Sequence, residues 1–168
     1  MAVVNTHIGF VYLANPHVAS RATTKALLAI RGSRIVANHH AGLPVVIEEY
    51  PICAAVCPIV FHTVRHPLDW LVSRYLCNGG ERGEWKSWLR RRPSRPIFGR
   101  FDGQTTTFIK YENLAEDLAQ TIGHDISLDY ESDHKTPGKH NYMSYWEDED
   151  ITWAKQRFAS DFETYHYE

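Results

Sequence analysis

The chain predicts an α/β fold built on a mostly parallel sheet, and three observations carry that prediction. Short continuous apolar runs, "IGFVYLA" over 8–14 and "PIVFHTV" over 58–64, have the length and β-branched content of strands covered on both faces. Each run leads into a segment with helical spacing, so strands and helices alternate. With 168 residues and 43% hydrophobic content the chain suits one ordinary core, and it reads as a single domain over 1–168.

Residues 8–14 form the first strand, which the Asn15-Pro16 step ends. A helix is predicted over 20–30, with Ala22, Ala26, Leu27 and Ile30 at helical spacing and Ser20 as its N-cap. "SRIVA" over 33–37 is a short second strand. After the strand at 58–64, Pro67 fits the first turn of the helix "PLDWLVSRYL". "TTFIKY" is a further strand and "ENLAEDLAQTI" a further helix, and "DEDITWAKQRFASDF" is predicted as one closing amphipathic helix. The polar stretches 77–100 and 130–144 read as loops, and the chain holds no repeat or low-complexity tract.

A formal charge of −2 argues against a generic nucleic-acid binder. Locally the balance reverses. Between 82 and 100, Arg82, Lys86, Arg90, Arg91, Arg92, Arg95 and Arg100 face the single acid Glu84. That surface either receives an anionic acceptor or is a solvated helix face. No apolar run approaches the roughly 18 residues that span a bilayer, and no basic flank precedes an apolar stretch, so a soluble cytoplasmic protein without a membrane partner is expected. Cys53, Cys57 and Cys77 are read as buried or free thiols, because no second pair completes a zinc spacing.

Ligands of open α/β sheets gather where a strand ends and the next helix exposes unpaired N–H groups. The turn "NPHVASRAT" occupies such a position, and the small residues Ala19 and Ser20 let an anion approach its backbone. It carries no GxxxxGK followed by Ser or Thr, so ATP or GTP use has no motif support. At the second junction, "FHTVRHPLDWLVSRYL", Arg65 ends a strand and Ser73 follows eight residues later. A guanidinium fork and a hydroxyl suit a phosphate monoester.

Arg-x-Pro with a Ser eight residues after the Arg resembles the 3′-phosphate segment of the sulfotransferases that use 3′-phosphoadenosine 5′-phosphosulfate (PAPS). The first turn is similar to their 5′-phosphosulfate loop, especially the Pro-Lys-x-Ala/Gly-Ser of carbohydrate-type members. "FIKYENLAEDL" and the closing segment from Tyr145 resemble later parts of the same superfamily, in its order. The resemblance implies a P-loop-NTPase-like three-layer fold with the cofactor across the strand ends. It further implies that the backbone around Val18, Ala19 and Ala22 cradles the phosphosulfate, with Ser20, Arg21 and Thr23 as side-chain candidates, while Arg65 and Ser73 hold the 3′-phosphate. Lys135 and Lys139 lie where related enzymes cover the adenosine.

His17 stands where the family has Lys, so the charge developing on the bridging oxygen falls to His17, as a cation or N–H donor, or to Arg21. A base must take the acceptor proton. His40 and His39 in "ANHHAGLP" are the candidates, with Glu48 and Glu49 as the alternative. The expected donor is PAPS, the product 3′,5′-adenosine bisphosphate (PAP), and the acceptor a hydroxyl on a carbohydrate, anionic ones included, or on a small metabolite. The chemistry requires no metal, and a homodimer would complete a site with trimmed acceptor loops. The rival expectations are a P-loop-like kinase using ATP with Mg²⁺ and a non-catalytic binder of nucleotide or anion.

Overall fold

Strand β1 (Ala2–Asn5) turns back into β2 (Phe10–Leu13), and the two pair antiparallel with Ala2 opposite Leu13 and Asn5 opposite Phe10. Two residues set the turn. The buried Asn5 side chain accepts from the main-chain N–H groups of His7 and Ile8 at 3.0 and 2.9 Å, and donates to Ser33 Oγ at 2.9 Å. Gly9 takes φ 92°, and a Cβ there would meet the Val56 carbonyl at 3.1 Å, so the position calls for glycine on two counts. The strand expected over 8–14 is therefore the shorter β2. Its partner β1 escapes a sequence reading because four residues show no period.

The structure, a computed structural model, describes residues 1–37, 41–93, 95–101, 103–128 and 141–168. The chain divides into two compact units, Met1–Val64 with Arg100–Asp133, and Arg65–Gly99 with His134–Glu168. The first unit contains β1, β2, α1 (Ser20–Ala29), β3 (Ser33–Ala37), α2 (Leu43–Glu49), α3 (Cys53–Val56), β4 (Ile59–Val64), β5 (Thr107–Lys110) and α6 (Leu114–Ile122). The second contains α4 (Pro67–Cys77), α5 (Trp85–Arg90), α7 (Asp148–Arg157) and α8 (Ala159–Thr164).

In the first unit the five strands are ordered β3-β1-β2-β4-β5. β4 lies parallel to β2 and to β5, with Leu13 opposite His62 and Val64 opposite Lys110. β1 is antiparallel to both its neighbours, so it alone runs against the rest and the sheet is mostly parallel, as expected. Alternation along the strands supplies two apolar faces. Phe10, Tyr12 and Phe61 pack with Leu27 of α1 and Leu118 of α6 on one side. Val11, Leu13 and Val60 pack with Val46 of α2 and Cys53 of α3 on the other. Each wholly buried Leu or Phe in these layers contributes about 1.5–3 kcal/mol by leaving water. No disulfide forms among the described residues; Cys53 and Cys57 lie in the second of these clusters, where burial raises their thiol pKa values.

The second unit is built on aromatic packing. Trp85 lies edge-on to Trp146 at 5.0 Å and to Tyr75 at 5.3 Å, while Trp70 meets Phe98 at 6.1 Å. Helix α5 falls inside the stretch read as a loop, because four charges between 84 and 91 mask the apolar spacing of Trp85, Trp88 and Leu89. The single closing helix is instead α7 and α8, broken at Phe158. The break directs the buried carboxylate of Asp161 to the main-chain N–H groups of Ile97 and Phe98 at 2.8 and 3.0 Å, which a straight amphipathic pattern does not foretell. Among the described residues no helix is long and apolar enough to cross a membrane.

Candidate functional site

The turn between β2 and α1 is held from below. Buried Asn15 donates through Nδ2 to the Thr63 carbonyl of β4 at 3.0 Å, which fixes the end of β2 against its parallel neighbour. Two residues later the backbone departs from ordinary conformations: His17 has φ 61° and Ala19 φ 54°. Left-handed backbone at a residue with a Cβ costs roughly 1–2 kcal/mol, and here it occurs twice around the buried side chain of Val18.

That geometry moves the helix start. Ser20, expected as N-cap, is the first helical residue, and the cap position falls to Ala19, whose methyl group cannot accept a hydrogen bond. Among the described residues no side chain caps α1, and no acid lies in its first turn. Its leading N–H groups thus keep the positive helix end that attracts anions. Ser20 and His17 are half-buried, Arg21 is exposed and Ala22 is buried. Thr23 is wholly buried, and its hydroxyl donates to the Ala19 carbonyl at 3.1 Å, so its side chain braces the turn from within. Tyr12 lies under it, 3.3 Å from Thr63 Oγ1. Burial pushes the Tyr12 pKa up to about 12 against the hydrogen bonds of Thr63 and Thr23, so the floor of the turn carries no charge to repel an anion.

At the second junction Arg65 is only 9% exposed, and its Nε donates to Asp69 Oδ2 at 2.5 Å. His66 caps α4 by accepting from the Leu68 N–H through Nδ1 at 3.3 Å, and Pro67 occupies the first turn as expected. Tyr142, Phe162 and Tyr167 hold the His66 ring at 5.9, 5.7 and 5.2 Å. Ser73 is 1% exposed on α4. Asp69 lies between Arg65 and Ser73 in an i, i+4, i+8 series that follows one helix face. Sequence reasoning passed over Asp69, although its distance of four residues from an Arg was the available signal.

His62, in mid-strand, is buried beside Phe101, with Nδ1 3.2 Å from Thr105 Oγ1. Desolvation lowers its pKa to about 4, which leaves a neutral packing residue at neutral pH. His39, His40, Lys135 and Lys139 lie outside the described residues. Glu48 and Glu49 are exposed at the end of α2. Trp85 is buried, while half-buried Trp88 has the Arg92 guanidinium over its ring at 5.0 Å. The cationic run is also less uniform than its sequence, because Lys86 and Arg90 pair with Glu147 and Asp150 at 2.6 and 2.7 Å.

Each unit therefore presents one junction of anion-binding chemistry: an uncapped helix start in the first, and an oriented, nearly buried guanidinium in the second. Comparison with models of known families, with curated proteins and with solved structures finds no match for this chain.

Proposed function

We propose that the protein is a sulfotransferase that moves the sulfuryl group of PAPS to an acceptor hydroxyl, and that its first unit is a P-loop-like nucleotide-binding fold. The observation that carries the reading is the turn before α1: left-handed at His17 and Ala19, uncapped, free of acids and floored by uncharged hydroxyls. Such a turn suits a phosphate or sulfate group. The Arg-x-Pro helix with Ser73 supports the 3′-phosphate, which ATP lacks.

In the proposed reaction the acceptor oxygen attacks sulfur in line, the bond from sulfur to the bridging oxygen breaks, and PAP departs. The acceptor proton passes to the imidazole of His40 or His39. Negative charge gathering on the bridging oxygen is met by α1 N–H groups together with His17 or Arg21. Lys135 and Lys139 cover the adenosine, and the acceptor is a carbohydrate or small-molecule hydroxyl.

The test is transfer of isotopically labelled sulfate from PAPS to a panel of neutral and anionic sugars. Label should appear in an acceptor, and His40→Ala should abolish turnover while PAP binding persists. Absence of transfer to every acceptor, with PAP still bound, would favour the non-catalytic binder, which His17 in place of Lys keeps in view. Transfer of phosphate from ATP with Mg²⁺ would establish the kinase instead.

A further inference from the structure

Charge in the second unit is sorted along two helices. Lys86 of α5 meets Glu147 at 2.6 Å, and Arg90 meets Asp150 at 2.7 Å and Glu149 at 3.8 Å. Further on, Arg90 lies over the Trp153 ring at 4.7 Å, and Arg157 donates to the Arg92 carbonyl at 3.0 Å. The contacts advance together, so α5 and α7 run side by side in the same direction. Four consecutive acids, Glu147 to Asp150, stand where α7 begins, and Lys86 and Arg90 offset only part of their charge. The other end has the opposite sign. Arg91 and Arg157 are exposed, and neither enters an ion pair among the described residues. Arg91 reaches back to Ser87 Oγ at 2.9 Å, and Arg157 shares the Trp153 ring with Arg90, its guanidinium 5.7 Å from the ring centre.

Between the two ends the spacing is symmetric. Glu149, Trp153 and Arg157 stand at i, i+4 and i+8 on one face of α7, so Glu149 and Arg157 lie about 6 Å along the axis on either side of Trp153. The Glu149 side chain is 91% exposed, Arg157 is exposed and Trp153 is half-buried. A two-fold axis set across the helix at Trp153 therefore brings Glu149 of one copy opposite Arg157 of another, twice, with the two indole rings between them. A tryptophan at the centre with charged residues around it is the make-up of a protein interface, in which aromatic anchors lie inside a polar rim.

We propose that this face of α7, with the adjoining end of α5, docks a second copy of the chain in an antiparallel, two-fold dimer. Complementary charge selects both the occupant and its direction. Parallel packing would set acids against acids and arginines against arginines, whereas the antiparallel arrangement opposes the signs at both ends. Each new pair of Glu149 with Arg157 would also join Arg90 in a network, and networks contribute more than isolated surface pairs. The face uses none of the residues assigned to the sulfuryl donor, so the dimer stands whether or not that assignment does.

Sedimentation equilibrium of the full chain over a range of concentrations tests the pairing. A monomer–dimer equilibrium is expected, and it should weaken as sodium chloride rises from about 50 mM to about 500 mM, a response that reads the charges without any variant. Two double reversals at exposed positions then locate the face: Asp148→Arg with Glu149→Arg, and Arg91→Glu with Arg157→Glu. Each double variant alone should dimerise at least about tenfold more weakly, because like charges then meet. Mixed in equal amounts, the two should pair with each other as strongly as the unaltered chain pairs with itself, which also shows that both have folded. A monomer at every concentration, a dimer indifferent to salt or to both reversals, or a mixture that fails to pair would overturn the interface.

Discussion

Single side chains hold the junctions in place, and their chemistry predicts specific losses. Asn5 satisfies two turn N–H groups and reaches across to β3, so Asn5→Ala should reduce stability by about 2–4 kcal/mol, read from urea unfolding midpoints. His62 supplies a pH test. Its pKa is about 4 in the fold against 6.5 for an open imidazole, so the unfolded chain binds the proton first. Its contribution is intact above pH 6.5 and declines as pH falls toward 4, by about 3 kcal/mol at most. His62→Gln should flatten the stability curve between those limits, and an unchanged curve would remove the role. Arg65 and Asp69 form a buried pair, and Arg65→Lys keeps the charge while removing the fork. If the fork reads the 3′-phosphate, that variant should bind PAP about tenfold more weakly, with binding of 5′-AMP unchanged.

At the scale of elements, the β2 to α1 turn trades conformational ease for exposed N–H groups. Ala19→Gly removes the Cβ penalty of roughly 1–2 kcal/mol and adds roughly 0.4–1 kcal/mol of unfolded-chain entropy. A net gain of about 0.5–1 kcal/mol is therefore expected in thermal melts, and a loss would contradict the left-handed conformation. Helix α5 illustrates the opposite balance, in which its two charges, Lys86 and Arg90, hide a buried stripe and both pair with acids at the start of α7. α4 combines both effects. Its proline start is plain in the sequence, whereas the pairing of Arg65 with Asp69 depends on burial that periodicity does not report.

For the molecule as a whole, the buried strands at 10–13 and 59–64 and the helices that follow them were legible, because continuous apolar runs bounded by turns and a first-turn proline have few alternative meanings. β1 and the break at Phe158 were not, since each is fixed by distant partners: β1 by strands on both sides, and the break by the reach of Asp161 to Ile97 and Phe98. Of the candidate site, the two strand-to-helix junctions were legible, one in each unit. The left-handed residues His17 and Ala19 were not, since no residue type there favours that backbone, whereas the four-residue spacing of Arg65 and Asp69 was a signal passed over. The central claim is the proposal that the protein binds a nucleotide carrying a 3′-phosphate. Calorimetry with PAP, 5′-AMP and ATP, without added metal, tests it most directly. The account predicts that PAP binds about 10- to 100-fold more tightly than 5′-AMP, from the charge-assisted contacts of the 3′-phosphate; equal affinity for PAP and 5′-AMP, or a preference for ATP, would contradict it.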